Sequence, residues 1–411
     1  MQSQNKIYVG DNLSVLMGMN SRTVDLIYLD PPFNSKRIYR VPIGTPAGKK
    51  EAGFDDIWVW SEDIDIRLEA FLDKYPRLFR FIGSAGEIHG LPMKAYLTFM
   101  AQRMIEMHRV LKETGSLYLH CDPTAGHYLK IMLDEVFGKH NFRNEIAWAY
   151  KTGGVSKRHF SRKHDVVFFY SKGREYVFNL QKEKSYLSHK YGFKNIEILS
   201  DDGGTYRYVH CRDIWDIPAL RGNQPEVTGY PTQKPLALLD RIIKASSNEG
   251  DLVLDPFCGC ATTCVAAHRL QRNWIGIDVS DVAVDLVRDR LTDATAQGLL
   301  KSDDVKKEVF TDFLATDKPP MRTDIVKTKL KKPQIKKILF DEQEGVCNGC
   351  KKEFDLPNFH LDHIVPKSKG GGDYMENFQL LCGNCNSIKG DRPMEYLQYR
   401  MRIQKNLTPM Y

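Results

Sequence analysis

The chain has 411 residues, 42% of them hydrophobic and 27% charged, with a formal net charge of +7. This is the composition of a globular protein rather than a disordered one, and the length exceeds one ordinary core, so about two to three domains are expected. No run approaches the ~18 consecutive apolar residues of a membrane span, and the start MQSQNKIYVGD has no apolar segment behind a basic one, so the expectation is a cytoplasmic protein with no membrane partner and no secretory signal.

In chain order, the first apolar run is Val24–Leu29 (VDLIYL), read as a buried strand, and it ends in Asp-Pro-Pro-Phe. Residues 93–111 repeat apolar residues at helical spacing. Further strands are expected at Ser116–His120 and Val166–Tyr170. Residues 172–229 are rich in aromatic and basic side chains and break the rhythm, as an inserted substrate-contacting region would. A helix over residues 236–245, a strand at Leu252–Leu254, a glycine-containing turn, a helix over residues 262–270 and a strand at Trp274–Ile277 complete the first part. Strands alternating with helices imply an α/β fold with a doubly wound, mostly parallel sheet. Residues 317–337, rich in Lys and Pro, read as a basic linker. The division that follows is 1–316, linker 317–337, and a small metal-stabilised module at 338–411. From Pro319 onward there are 16 Lys and Arg against 11 Asp and Glu, a balance of +5, which marks the C-terminal quarter as the candidate for a polyanion contact.

Two constellations carry chemistry. The segment LVLDPFCGCATTCVAA (252–267) is a strand, a tight loop and a helix, the arrangement that brings backbone close to a ligand at the end of a parallel strand. Asp278 ends the next strand 23 residues after Asp255, where a carboxylate can accept from ribose hydroxyls. That much also suits a nicotinamide-dependent oxidoreductase. The DPPF segment does not. Its two prolines stiffen the backbone and remove two amide donors, leaving the Asp30 carboxylate and the Pro31 carbonyl to accept the two N–H bonds of an exocyclic amino group, with Pro32 in the turn and Phe33 able to stack on its ring. The second constellation is Cys347-x-x-Cys350 and Cys382-x-x-Cys385, separated by 31 residues. Four thiolates in two knuckles suffice for a tetrahedral structural zinc.

With DPPF followed some two hundred residues later by DPFCGCATT, the first part resembles the amino-methyltransferases of DNA adenine N6 or cytosine N4, in the circularly permuted β group. IYVGDNL (7–13), GSLYLHCD (115–122), NEIAWAY (144–150) and GYPTQKPLALLDRII (229–243) match in order. The resemblance implies a Rossmann-like fold, S-adenosylmethionine as cofactor, double-stranded DNA as substrate, and a target-recognition region within 172–229. It places Asp11 on the cofactor adenine and Thr232 and Lys234 at its methionine end, with Asp255, Phe257, Gly259, Thr262 and Asp278 as further cofactor contacts. Asp30, Pro31, Pro32 and Phe33 are the catalytic segment, and the base must be extruded to reach it. The aspartate in DPPF leans towards adenine N6. Ala261 stands where the family usually has a second glycine. Cytosine C5 chemistry is excluded, because no proline is followed by the cysteine nucleophile it needs. Residues 151–164 (KTGGVSKRHFSRKH) are candidates for phosphate contact, and a homodimer is expected because members of the group are often dimers.

FHLDHIVPKSKGGGDYMENFQLLCGNCNSIKGD (359–391) resembles the HNH nucleases of the ββα-metal fold. By position, the resemblance makes His363 the general base, Asp362 and Asn386 ligands of Mg²⁺ or a similar divalent cation, and Asn377 the residue that orients the histidine. Lys367, Lys369, Lys389 and Arg392 become candidates for phosphate binding. Asn386 departs from members that carry histidine there; an amide oxygen suits Mg²⁺. The reading is a methyltransferase and endonuclease in one chain, in restriction–modification or defence. The alternative is a cytosine N4 methyltransferase whose zinc module only binds DNA.

Overall fold

The computed structural model describes the chain except residues 1–4, 46, 47, 70, 72, 73, 151–154, 187–196, 223, 295–312, 326, 368–370 and 408–411. Lys369 and the first four residues of the 151–164 stretch therefore lie outside the described residues. The strands are Asn5–Val9 (β1), Val24–Leu29 (β2), Arg37–Thr45 (β3), Gly48–Asp56 (β4), Leu111–Cys121 (β5), Phe142–Ala149 (β6), His164–Ser171 (β7), Lys182–Tyr186 (β8), Leu199–Asp201 (β9), Gly204–His210 (β10), Ile214–Asp216 (β11), Leu252–Asp255 (β12), Asn273–Asp278 (β13), Phe313–Thr316 (β14), Phe359–His363 (β15) and Phe378–Cys382 (β16). The chain divides into two compact units, Met1–Leu16 with Ser21–Asp56 and Arg103–Pro319, and Met17–Asn20 with Ile57–Gln102 and Pro320–Tyr411.

The first unit is built on a nine-stranded sheet in the order β11-β6-β7-β5-β2-β12-β13-β1-β14. Every pairing is parallel except those of β7 with β5 and β6. All six residues of β2 are buried, as a central parallel strand covered on both faces requires. The helix Leu236–Ser246 presents Leu238, Leu239, Ile242 and Ile243 as one stripe to the core. The helix expected over 93–111 runs Leu91–Val110, and that over 262–270 runs Thr262–Arg269. Within residues 172–229 lies a separate antiparallel sheet, β8-β10-β9, and a hairpin of β3 and β4 follows the DPPF segment.

The position of β12 decides the site. It pairs with β2 (Val253 with Leu26, Leu254 with Ile27) on one side and with β13 on the other. From β2 the chain crosses toward β5; from β12 it crosses toward β13. The strand order thus reverses between β2 and β12, and ligands of open α/β sheets bind outside the carboxyl ends of strands at such a switch point. Asp30 follows one strand and Asp255 closes the other.

The second unit does not follow the linear division drawn at the linker. It gathers Ile57–Gln102 with the C-terminal segment: the helix Glu62–Glu69 lies against Met394–Leu407, and Trp58 packs on Tyr96 and Phe99 at 5.2 and 4.7 Å between ring centres. Its C-terminal part is a ββα unit, antiparallel β15 and β16 followed by the helix Gly383–Lys389. Among the described residues no helix is long and apolar enough to cross a membrane.

Candidate active sites

The DPPF turn leaves β2 and is held by a residue that sequence reasoning missed. The buried Asp56 carboxylate accepts from three successive amides, those of Phe33 (3.1 Å), Asn34 (2.8 Å) and Ser35 (2.7 Å). Asn34 and Lys36 adopt left-handed φ values of 61° and 60°, and the carboxylate offsets that strain by satisfying the amides a tight turn would otherwise leave open. Only an acidic residue at the end of an unremarkable hairpin marks it in the sequence. Asp30 itself pairs through Oδ2 with Nζ of Lys234, while its Oδ1 is buried and has no partner among the described residues. Lys234 also donates to the Thr232 carbonyl (3.2 Å), with Thr232 at φ 62°, and its ammonium lies 5.8 Å from the centre of the Phe33 ring.

Beneath Phe33 lies a buried network whose His120, Trp148 and Tyr150 fall in matching segments of the sequence without roles, and whose Asp165 falls outside them. The His120 ring is 6.3 Å from Phe33 at 29° and 5.4 Å from Trp148. His120 is hydrogen bonded to the Tyr28 hydroxyl at 3.0 Å and to Asp165 at 3.2 Å, and Tyr150 donates to the other oxygen of Asp165. Burial pushes the Asp165 carboxyl up, but the His120 bond and charge, with the more distant Lys234 charge, outweigh it and hold the carboxyl below its ordinary range.

The loop after β12 folds on itself. Asp255 and Thr262, expected as cofactor contacts, brace that loop. Asp255 accepts from the Thr263 hydroxyl and the Phe257 amide, and Thr262 Oγ1 accepts from Arg290 at 3.0 Å; both residues are buried. The reason is local: a loop this tight turns its own polar groups inward. Burial pushes the Asp255 carboxyl up to about 7. Gly259 has φ 49°, and a Cβ there would meet the Tyr230 ring at 3.0 Å; its amide donates to Asp278 at 2.9 Å, whose other oxygen accepts from Ser280. Ala261 takes φ 55° with its methyl buried, so the departure from glycine leaves the left-handed turn in place. Asp11 stands beyond β1, with Oδ1 bound by Arg103. Arg103 also holds Asn12, which in turn donates to the Pro256 carbonyl at 2.6 Å. At the same strand end a Cβ on Gly10 would meet nothing within 4 Å among the described residues. Bare backbone, open space and the carboxylates of Asp11 and Asp278 fit a nucleoside.

In the second unit the sulfur atoms of Cys347, Cys350, Cys382 and Cys385 all lie within 4.8 Å of one another. A Cβ on Gly349 would strike Cys385 and Leu397 at 2.8 Å each, so this knuckle accepts only glycine. Burial raises the Cys347 thiol, but amides of Cys382, Cys350 and Gly349 outweigh it and hold the thiol below its ordinary value. The cluster suits Zn²⁺.

The Asp362–His363 pair ends β15. His363 Nε2 is 2.9 Å from Asp373, which also takes Lys367 at 2.7 Å. Asn377, expected to orient the histidine, has its side chain on the backbone of the following loop, through Val365 and the Gly372 carbonyl. The residue on the ring is Asp373, which sequence reasoning missed because it lies in a glycine-rich loop with no fixed register. A correction concerns Lys389. It is buried rather than free for phosphate, and its ammonium sits 3.0 Å from Asp362 and 2.7 Å from the His363 carbonyl. Gln379 donates to the same carboxylate at 2.9 Å. Asn386 is half-buried in the helix that packs against β15. Arg392 lies over Tyr396, 4.2 Å from its ring centre.

A switch-point site with a DPP turn beside a glycine-bearing loop defines an α/β enzyme of nucleotide-type cofactors, and comparison with known proteins identifies which. A family model described as DNA methylase matches residues 24–289, and one described as HNH endonuclease matches 347–392. The chain belongs to the N6/N4 DNA methylase family and carries a C-terminal HNH domain. It is similar to the DNA adenine methyltransferase YhdJ of Escherichia coli, 28% identical over 303 residues, covering 72% of this chain and 86% of that protein. It is also similar to the type II methyltransferase M.HpaI of Haemophilus parainfluenzae, 26% identical over 287 residues, covering 70% and 74%. Among solved structures, the PvuII cytosine-N4-specific DNA methyltransferase aligns with a TM-score of 0.43 at 16% identity, over 77% of this chain and 98% of that one.

Proposed function

We propose that the protein transfers a methyl group from S-adenosylmethionine to an exocyclic amino nitrogen in double-stranded DNA, adenine N6, at a specific site. The observation that carries this is Asp30: a carboxylate at the switch point with one buried, unpartnered oxygen. An unmatched buried acceptor is costly, and an amino N–H would satisfy it while the Pro31 carbonyl takes the second. Phe33 stacks on the extruded base, and Pro32 keeps the turn rigid. Asp278, Asp11 and the Gly259 backbone would hold the nucleoside of the cofactor, with Phe257 alongside and Thr232 on the opposite segment. S-adenosylmethionine, when bound, supplies a methyl activated by a positively charged sulfur. Oδ1 of Asp30 and the Pro31 carbonyl would hold the two amino N–H groups so that the nitrogen lone pair faces that methyl, and Oδ1 would take the proton the nitrogen loses. The aspartate of DPPF and the adenine activity of the Escherichia coli relative favour adenine.

The HNH domain is proposed as a metal-dependent endonuclease braced by zinc. His363, aligned by Asp373, would take a proton from water. Asp362 and Asn386 would hold a divalent cation that stabilises the leaving oxygen, with Asp362 shared between that cation and Lys389. The pairing of activities suits restriction–modification or defence, with recognition assigned to 172–229 and the nuclease to 338–411. The test is to incubate the protein with unmethylated bacterial DNA and Mg²⁺, with and without S-adenosylmethionine, and to sequence the products for modified bases and for ends. N6-methyladenine at one motif, and cuts that vanish in His363→Ala, are expected. N4-methylcytosine would overturn the choice of base. Methylation without cuts would reduce the HNH domain to a DNA clamp.

A further inference from the structure

The sequence pattern put Lys234 at the methionine end of the cofactor, yet its ammonium is paired with the carboxylate that faces the target amino group. Lys234 has only about a tenth of its side chain exposed, and its backbone turn, with Thr232 left-handed at φ 62°, aims it at Asp30 and lets the Thr232 carbonyl take a second N–H. Asp30 is thereby divided. Oδ2 is held by the lysine, and Oδ1 is buried and open. Two other carboxylates, Asp255 and Asp165, act on the same surroundings: Asp30 helps raise Asp255, and Lys234 helps lower Asp165. Without a local cation, three neighbouring carboxylates would disfavour one another's charge.

We infer that Lys234 is a positioning residue for the transfer step: it fixes the Asp30 carboxyl plane and keeps Oδ1 as the one acceptor presented to the substrate amino group. This rests on the methyltransferase reading. Lys234 acts through Asp30, and the lysine gains and loses no proton. Its ammonium beside the Phe33 face also places it at the edge of the base pocket and not only along the cofactor.

The test compares wild type, Lys234→Met and Lys234→Arg by two measurements: S-adenosylmethionine Kd by calorimetry without DNA, and the single-turnover methylation rate at saturating cofactor and DNA. Lys234→Met is expected to slow the step by about 100-fold, the scale of removing one preorganised electrostatic partner. Its cofactor Kd is expected to stay within about threefold, less than 1 kcal/mol. Lys234→Arg, which keeps the charge, is expected to recover most of the rate, and it carries the test if the Met variant does not fold. A cofactor Kd weakened tenfold or more with an unchanged saturated rate would overturn the inference and return Lys234 to the methionine end. An unchanged rate and Kd in both variants would overturn it too. A wild type that binds S-adenosylmethionine but methylates no DNA would instead refute the proposed function.

Discussion

Asp255→Asn offers the sharpest test of how the cofactor loop is held. Asp255 is buried with both oxygens engaged inside the loop, and burial lifts its carboxyl from 3.8 to about 7. At 1.36 kcal/mol per pH unit this corresponds to about 4 kcal/mol. The folded value is raised, so the folded chain holds the proton more tightly than the unfolded one. The contribution is therefore fully present below pH 3.8 and is lost as pH rises through about 7. Asparagine is neutral throughout and can still accept from the Phe257 amide. Relative to wild type, the variant should match in stability near pH 4 and gain steadily until about pH 7, with a plateau above. A domain of this size shifts by about 2–4 °C per kcal/mol, so the full difference in Tm is on the order of 10 °C. Thermal unfolding of both proteins without cofactor, across pH 4 to 8.5, measures it. A Tm difference that does not change with pH, or a less stable variant at pH 8, would refute the reasoning.

Asp56→Ala strands three amides of the DPPF turn; a loss of about 1–3 kcal/mol per unmatched group should loosen the turn and lower the methylation rate more than the cofactor affinity, read by the same two assays as above. Gly259→Ala combines a left-handed φ with a 3.0 Å approach to Tyr230 and should destabilise by about 1–2 kcal/mol and weaken cofactor binding in calorimetry. Cys382→Ser should lower bound zinc, measured by elemental analysis, and unfold the HNH domain at lower temperature, because structural zinc binding is coupled to folding. Asp373→Asn should slow DNA cleavage while leaving methylation unchanged, since its carboxylate bonds the His363 ring and Lys367 within the HNH domain.

Much of this was legible in the sequence because it is local. A mostly apolar hexapeptide, VDLIYL, followed by Asp-Pro-Pro dictates a buried strand and a stiff turn wherever it sits, and two CxxC knuckles dictate a thiolate cluster. Periodicity located the helices to within about two residues. What required tertiary structure was adjacency. Nothing local tells β12 to insert beside β2; the sheet pairing does, and it brings Asp30 and Asp255 to one switch point across more than two hundred residues. Tertiary packing likewise puts Lys234 on Asp30, Arg103 on Asp11 and Asn12, and His120 beneath Phe33. Charged side chains such as Asp56, Asp373 and Lys389 carry no period and no motif of their own. Their roles come from the unmatched amides and carboxylates that folding leaves within reach, and only the folded chain decides which those are.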